Sequence, residues 1–266
     1  MRKYYTRPCN FYYGNYAKHL VKIKKALPLA GNNNISFDQL EIFERKKGKN
    51  TKTYLYSIKE IKKLNSRIKN IIKADLNKIS ELNKIINFAN VKMKGVNCLI
   101  NNASLFENDS INSFSVKLWN KHLNINLRAP VILIKKFSKL VPKNVKANII
   151  NIIDQRVFRL TPFFLSYTLS KTGLYTLTKT SAMNLAPNIK VNGIAPGPTI
   201  KNKRQSVKHF KKQYLSTLLK KSVDTKEICS AIKFLITNKS ITGQAIAIDS
   251  GQNLSWKTPD IIETKE

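Results

Sequence analysis

Residues 147–171 read ANIINIIDQRVFRLTPFFLSYTLSK, and this stretch decides the fold. It opens on a short Ile-rich run, Ala147–Ile153, whose length and β-branched content suit a buried strand. The run stops at Asp154, and the chain then enters Leu165–Leu185, which is too long for a strand and reads as a helix. The same alternation extends in both directions. Val96–Ile100, Ile189–Ala195 and Ala245–Ile248 are further short apolar runs bounded by Asn, Gly, Pro or Asp, while Ile79–Asn90, Val116–Leu140 and Thr225–Thr237 read as helices. The last has Asp224 or Thr225 available as N-cap and Glu227 in its first turn. Strands separated by helices form a parallel sheet, and right-handed crossovers place the helices on both of its faces. The fold class expected is α/β, with one doubly wound parallel sheet.

Composition agrees with one well-filled domain. The chain has 266 residues, 42% of them hydrophobic, enough for a full-sized core. Cys9, Cys98 and Cys229 are widely spaced and odd in number, which indicates neither a disulfide framework nor a zinc site, so no metal is expected. With 48 Lys+Arg against 15 Asp+Glu the net charge is +33, a surface that attracts polyanions at low salt. These basic residues are mostly Lys and spread over the whole length, whereas a dedicated nucleic-acid reader clusters Arg and aromatics on one face. Nucleic acid is therefore not the expected partner. No apolar run approaches the roughly 18 residues of a membrane span, and Met1–Tyr5 does not read as a signal peptide, so a cytoplasmic protein without membrane contact is expected.

The beginning of the chain reads less clearly. Lys25–Gly31 is a candidate first strand, but Pro28 inside it removes a ladder donor. Thr53–Ser57 is a better strand candidate, followed by a lysine-rich helix over Lys59–Ile72. The expected division is an atypical N-terminal segment over 1–45, the α/β domain over 46–256 and a polar tail over 257–266. Between a Pro-Gly-Pro turn and the last helix, Lys201–Ser222 is polar, basic and dotted with Tyr and Phe, well placed to cover a ligand at a strand end.

The chemistry gathers where those strands end. Tyr167 and Lys171 stand one helical turn apart on one face, and an ammonium there lowers the phenol's pKa toward neutrality. Asp154 puts a carboxyl at the end of its strand, facing that helix. Asn101-Asn102-Ala103-Ser104 follows a second strand at its C-terminal end, where open α/β sheets bind ligands. Asn126, polar within the Val116–Leu140 helix, needs a buried partner. Pro196-Gly197-Pro198-Thr199 closes a third strand.

In order and spacing, Asn101-Asn102-Ala103, Asn126, Tyr167-x-x-x-Lys171 and Pro196-Gly197-Pro198-Thr199 resemble the motifs of the short-chain dehydrogenase/reductase family over about residues 72–254. Within it the chain most resembles the pteridine and dihydromonapterin/dihydrofolate reductase branch, on Asp154 where most members carry Ser, and on Ser104 with Phe106 where most carry Gly and no aromatic. The resemblance implies a Rossmann-like fold, NADPH as hydride donor and a pterin or dihydrofolate-like substrate in folate or pterin metabolism. It implies that Asp154, Tyr167, Lys171 and Asn126 are catalytic, with Lys171 also on the nicotinamide ribose and Asn126 propping Lys171 through a water. Asp75 and Leu76 match the adenine contact, Asn101 and Ala103 line the cofactor, and Pro196, Gly197 and Thr199 lie near the nicotinamide. Ser104, Phe106, Asp154 and Tyr167 would meet the substrate, with Phe106 stacking on its flat ring; an ordinary core aromatic is the other reading of Phe106. The resemblance further implies a homo-oligomer, a tetramer that pairs through the helices corresponding to Val116–Leu140 and Leu165–Leu185.

Two features bear on the cofactor. Tyr56-Ser57-Ile58-Lys59 offers hydroxyls and a cation where an NAD-binding protein places an acid, which favours the 2′-phosphate of NADPH and makes Ser57 a candidate contact. The family's opening turn, TGxxxGxG, is missing. Its nearest counterpart, Ala30-Gly31-Asn32-Asn33-Asn34-Ile35-Ser36, has one glycine, so the first βα unit is degenerate. Arg7–Gly14 and Leu27–Gly31 are instead weakly similar to the leading segment of some bacterial dihydropteroate synthases. The alternatives are a carbonyl or 3-oxoacyl reductase of the same fold, and a catalytically silent Rossmann-like protein binding anions or nucleic acid.

Overall fold

The computed structural model describes residue 72 and residues 74–93, 96–202 and 205–256, together with the backbone of Ile23 and Lys24. The candidate strands Lys25–Gly31 and Thr53–Ser57 and the turn at 30–36 lie outside the described residues, as do Ser57 and the 257–266 tail, and only Ile72 of the lysine-rich helix Lys59–Ile72 falls within them.

In chain order the described elements are β1 (Ile23–Lys24), α1 (Ile79–Met93), β2 (Cys98–Asn101), α2 (Val116–Leu123), α3 (Ala129–Leu140), β3 (Ala147–Ile152), α4 (Leu165–Leu185), β4 (Ile189–Pro196), α5 (Val207–Leu215), α6 (Thr225–Thr237) and β5 (Ala245–Ile248). They build one sheet in the order β1-β2-β3-β4-β5. β2 to β5 run parallel, as expected, whereas the two-residue β1 lies antiparallel on the β2 edge, Ile23 opposite Leu99. The register sets Asn101 opposite Asn151 and Asn151 opposite Gly193, so the C-terminal ends of these strands share one rim of the sheet.

Side chains alternate across a strand, and here the alternation separates two cores. Leu99, Ala147, Ile149, Ile189 and Val191 face one side, where they pack with Leu82 and Ile85 of α1, Leu133 and Phe137 of α3, and Ala182 of α4. Cys98, Ile150, Ile152 and Ile194 face the other side, against Ile228, Ile232 and Leu235 of α6. Each fully buried Leu, Ile or Phe contributes about 1.5–3 kcal/mol, and burial on both faces explains why these strands are nearly continuous in Ile and Val.

The polar interruptions have partners. Asn151 is fully buried within β3; its Oδ1 accepts from Asn101 Nδ2 at 2.8 Å and its Nδ2 donates to Thr178 Oγ1 of α4 at 2.9 Å. That chain of amides ties β2, β3 and α4 together beneath the rim. Asn192 holds the start of β5, donating to Ile241 O at 2.9 Å and accepting from Gln244 N at 3.0 Å. α6 begins with the expected cap: Asp224 Oδ1 accepts from Lys226 N, and Glu227 Oε2 accepts from Asp224 N, both at 2.9 Å.

The expected helix over 116–140 is divided. At Asn124–Arg128 the chain makes one wide turn, in which Ala129 N donates to Asn124 O, five residues back. Such a turn bulges the helix axis and re-aims the residues in it, here Asn126. Asn77 braces it from outside, accepting from Asn124 Nδ2 and Arg128 Nη2 at 2.8 Å each. A second difference is α5, a helix inside the segment read only as a polar cover; Ser206 caps it by accepting from His209 N at 3.0 Å.

Candidate active site

The first two turns of α4 carry Tyr167 and Lys171, both 2% exposed. The Tyr167 hydroxyl donates to Asp154 Oδ2 at 2.7 Å, so the carboxyl past the end of β3 meets the phenol directly. Lys171 Nζ donates to Ile152 O at 2.7 Å and sits 5.8 Å from the Tyr167 ring centroid. Burial pushes the Lys171 ammonium down to about 8, and the negative charge of Asp154 offsets only part of that shift. Two consequences follow, of opposite sign in pH. The cation beside Tyr167 is present below about pH 8, so kcat should fall as pH rises through that value, and a rate profile flat to pH 10 would refute it. Stability, by contrast, gains from this group between about 8 and 10.5, where the unfolded lysine still holds a proton that the folded one has released.

Asn126 organises the loop opposite. Its Oδ1 accepts from Leu105 N at 2.8 Å and from Ser104 Oγ at 3.2 Å, and its Nδ2 donates to Leu105 O and Ser170 Oγ at 3.0 Å each. The amide therefore binds the loop after β2 to the residue preceding Lys171. Ser104 is turned inward on Asn126, while Phe106, two residues on, stands on the cleft wall.

That wall is aromatic. Phe106 and Phe164 stack with centroids 4.5 Å apart and planes 8° from parallel, and the Tyr167 ring meets Phe106 edge-on at 4.6 Å. Arg156 lies over both phenylalanines, 5.3 Å from Phe106 and 4.8 Å from Phe164. With Asp154, Pro196, Gly197 and Thr199 these residues line a cleft of about 430 Å³, roofed by Gln205 and by His209, Phe210 and Gln213 of α5. Phe106 is thus a wall of the cleft, not an enclosed core residue. Its stack with Phe164 makes one rigid platform out of two side chains.

α4 has no cap of its own: Phe164 stands at its N-cap with φ 62° and no side-chain hydrogen bond. Asp109 supplies the cap from the loop after β2. Its carbonyl accepts from Phe164 N at 2.7 Å and Leu165 N at 3.3 Å, and its carboxylate accepts from Ser166 N at 3.1 Å. Ser166 Oγ also donates to Asp109 Oδ2, and His122 Nδ1 lies 2.6 Å from Ser166 Oγ. His122 Nε2 accepts from Glu107 N at 3.2 Å, which leaves Nδ1 carrying the hydrogen and donating to the serine. Asp109, Ser166 and His122 have the residue types of a hydrolase triad but a different wiring, with the serine in the middle and all three buried. They form a structural strut beneath Tyr167.

The remaining expected contacts are placed as follows. Pro196, Gly197 and Thr199 line the cleft, with Thr199 Oγ1 donating to Gly197 O at 3.0 Å. Gly197 passes so close to the chain at Asp249 that an added Cβ would lie 2.6 Å from Asp249 Cα. Asn101, at the end of β2, has a buried Oδ1 without a donor in the structure. Ala103 packs on the core at its rim. Asp75 Oδ1 accepts from Asn77 N at 3.0 Å, and Leu76 has its side chain in the core at 2% exposure, leaving its backbone for any ligand. Among the described residues no cluster of three His, Cys, Asp or Glu could hold a metal ion, and no helix is long and apolar enough to cross a membrane.

Sequence reading missed Arg156, Asp109 and His122. Arg156 carried a signal, since it follows Asp154 in the strand-end loop. Asp109 and His122 carried none, because each meets Ser166 across a long sequence separation.

Known proteins are similar to this chain in sequence and fold. A family model described as enoyl-(acyl carrier protein) reductase, of the short-chain dehydrogenase/reductase family, matches residues 50–253. The 3-oxoacyl-[acyl-carrier-protein] reductase FabG of Buchnera aphidicola subsp. Baizongia pistaciae is 33% identical over 204 residues, 73% of this chain and 83% of its own. The dihydromonapterin reductase of Klebsiella pneumoniae subsp. pneumoniae is 30% identical over 162 residues, 60% of this chain and 68% of its own. Among solved structures, FolM alternative dihydrofolate reductase 1 from Brucella canis, complexed with NADP, is 41% identical with a TM-score of 0.69, over 71% of this chain and 75% of that one. By matched length, by fold and by the Asn-Tyr-Lys constellation with Asp154 and Phe106, the chain belongs to the short-chain dehydrogenase/reductase family, in its pteridine-reductase-like branch.

Proposed function

We propose that the protein is an NADPH-dependent reductase of a pterin or dihydrofolate-like substrate. The observation that carries this reading is the 2.7 Å contact of the Tyr167 hydroxyl with the Asp154 carboxyl on the wall of an aromatic cleft. NADPH, when bound, supplies the hydride. The residues present fit that group: Asn101 offers an unpartnered buried carbonyl at the strand rim, and Thr199, Gly197 and Pro196 flank the cleft floor. Asp75, the Leu76 backbone and Ala103 would take the far end, and Ser57 the 2′-phosphate.

The chain's own residues then handle the ring and the proton. The Phe106–Phe164 platform offers a flat apolar surface to a heterocycle. Tyr167 and Asp154 hold one proton between them at the cleft wall, and a hydroxyl bonded to a carboxylate can pass that proton to a ring nitrogen. Lys171 fixes a positive charge behind the phenol and favours its ionised form once the proton has left. Asn126 keeps the loop after β2 in register with α4.

Val131 on α3 and Leu169 and Met183 on α4 are apolar and at least 40% exposed, which supports a tetramer built through these helices, checkable by light scattering. The test of the function is thermal shift with NADPH against NADH, followed by NADPH oxidation with a dihydropterin, dihydrofolate and a 3-oxoacyl ester. Saturable NADPH binding with pterin turnover is the expected result. Turnover of the ester alone would make the chain a 3-oxoacyl reductase, and no shift at millimolar NADPH would leave a silent relative.

A further inference from the structure

We infer that Arg156 sets substrate specificity by taking a carboxylate on the substrate's side chain, so that the cleft prefers an acid-tailed pterin over one with a neutral polyol tail. The inference rests on the pterin-reductase reading and adds the charge of the substrate to it.

A guanidinium has five N–H donors and is always charged, so an under-satisfied one in a buried place marks a missing acceptor. The Arg156 side chain is only 16% exposed. Its Nε is buried without a partner, and the hydrogen bond that its side chain does make, Nη1 to Asp154 Oδ1, is long at 3.5 Å. Asp154 is otherwise engaged: Oδ1 accepts from Arg156 N at 2.9 Å and Oδ2 from the Tyr167 hydroxyl. The carboxylate therefore cannot saturate the guanidinium.

The position tells which ligand group would. Arg156 lies on the Phe106–Phe164 platform, next to where a flat ring would rest, and lines the open cleft. A ring carbonyl gives such a fork a single acceptor, whereas a carboxylate matches it with two. The approach is biased the same way. From Lys201 to Val223 the sequence holds Lys and Arg but neither Asp nor Glu, and Lys208, Lys211 and Lys212 are exposed on the outer side of α5 beside the cleft. A potential of that sign gathers anions before they dock.

The experiment compares 7,8-dihydrofolate, which ends in a glutamate, with dihydromonapterin, which ends in a neutral polyol, both with saturating NADPH. Wild-type protein is expected to show the lower KM for dihydrofolate, with an advantage that shrinks as salt is raised. Arg156→Gln should raise the KM for dihydrofolate at least tenfold more than that for dihydromonapterin, roughly what a hydrogen-bonded charge pair contributes. Arg156→Lys, which keeps the charge and loses the fork, should recover part of that difference. Equal losses for both substrates would overturn the inference and assign Arg156 to Asp154 or the ring. A wild-type preference for the polyol, independent of salt, would overturn it even if Arg156→Gln fails to fold. Turnover of neither substrate would instead remove the pterin reading itself.

Discussion

Replacing Tyr167 by phenylalanine is expected to lower kcat for NADPH-dependent reduction by roughly 10²–10⁴-fold, the usual worth of a positioned proton donor. The substitution is clean because it removes one atom. The ring keeps its edge-on contact with Phe106 at 4.6 Å and its neighbour His122 at 6.0 Å, so the cleft wall and α4 stay in place. What disappears is the hydroxyl that links Asp154 to the cleft. Asp154→Asn provides the companion result: a side chain of the same shape that cannot carry the shared proton should also slow turnover. If Tyr167→Phe kept more than about a tenth of the wild-type rate while Asp154→Asn lost it, the carboxyl alone would deliver the proton. Steady-state loss of NADPH absorbance measures both variants.

Much of this site was legible because its residues stand at ends of strongly patterned elements. β3, α4, α6 and β5 are bounded by abrupt changes from apolar to polar residues, and their observed limits agree with the sequence to within a residue. Tyr167 and Lys171 share a helix face, so four-residue spacing alone brought them together. Asn126 was expected to need a partner and finds four hydrogen bonds, yet the wide turn that aims it was hidden, since residues 116–140 remain apolar and periodic across the break. α5 escaped because its nine residues carry few apolar positions and fold over a cleft rather than into a core. Arg156 lies on the same platform as Phe106, but in a strand-end loop whose residues follow no period. Asp109 and His122 meet Ser166 from 57 and 44 residues away, distances at which sequence pattern carries no pairing information.

That strut is the basis of the largest stability effect expected. Asp109→Ala should destabilise the fold by roughly 3–5 kcal/mol, because removing one partner of a buried charged network strands the others. Ser166 N would lose its carboxylate acceptor, and Ser166 Oγ would lose the oxygen it donates to. Water cannot readily substitute, since Asp109, His122 and Ser166 are each at most 1% exposed. The α4 N-terminus, which has no cap of its own, would then keep only the main-chain carbonyl of residue 109 as acceptor for Phe164 N and Leu165 N, and would fray at Ser166. For a chain of this size the loss corresponds to a fall of about 6–20 °C in Tm, measurable by calorimetry. Asp109→Asn keeps one acceptor oxygen and should recover a substantial part of it. A loss below about 1 kcal/mol for the alanine variant would show that the first turn of α4 finds other acceptors. Fraying there reaches function as well, because Phe164 is half of the aromatic platform and Tyr167 lies one residue beyond Ser166. Asp109→Ala should therefore lower kcat even at temperatures where the protein remains folded, and Asp109→Asn should restore rate and stability together.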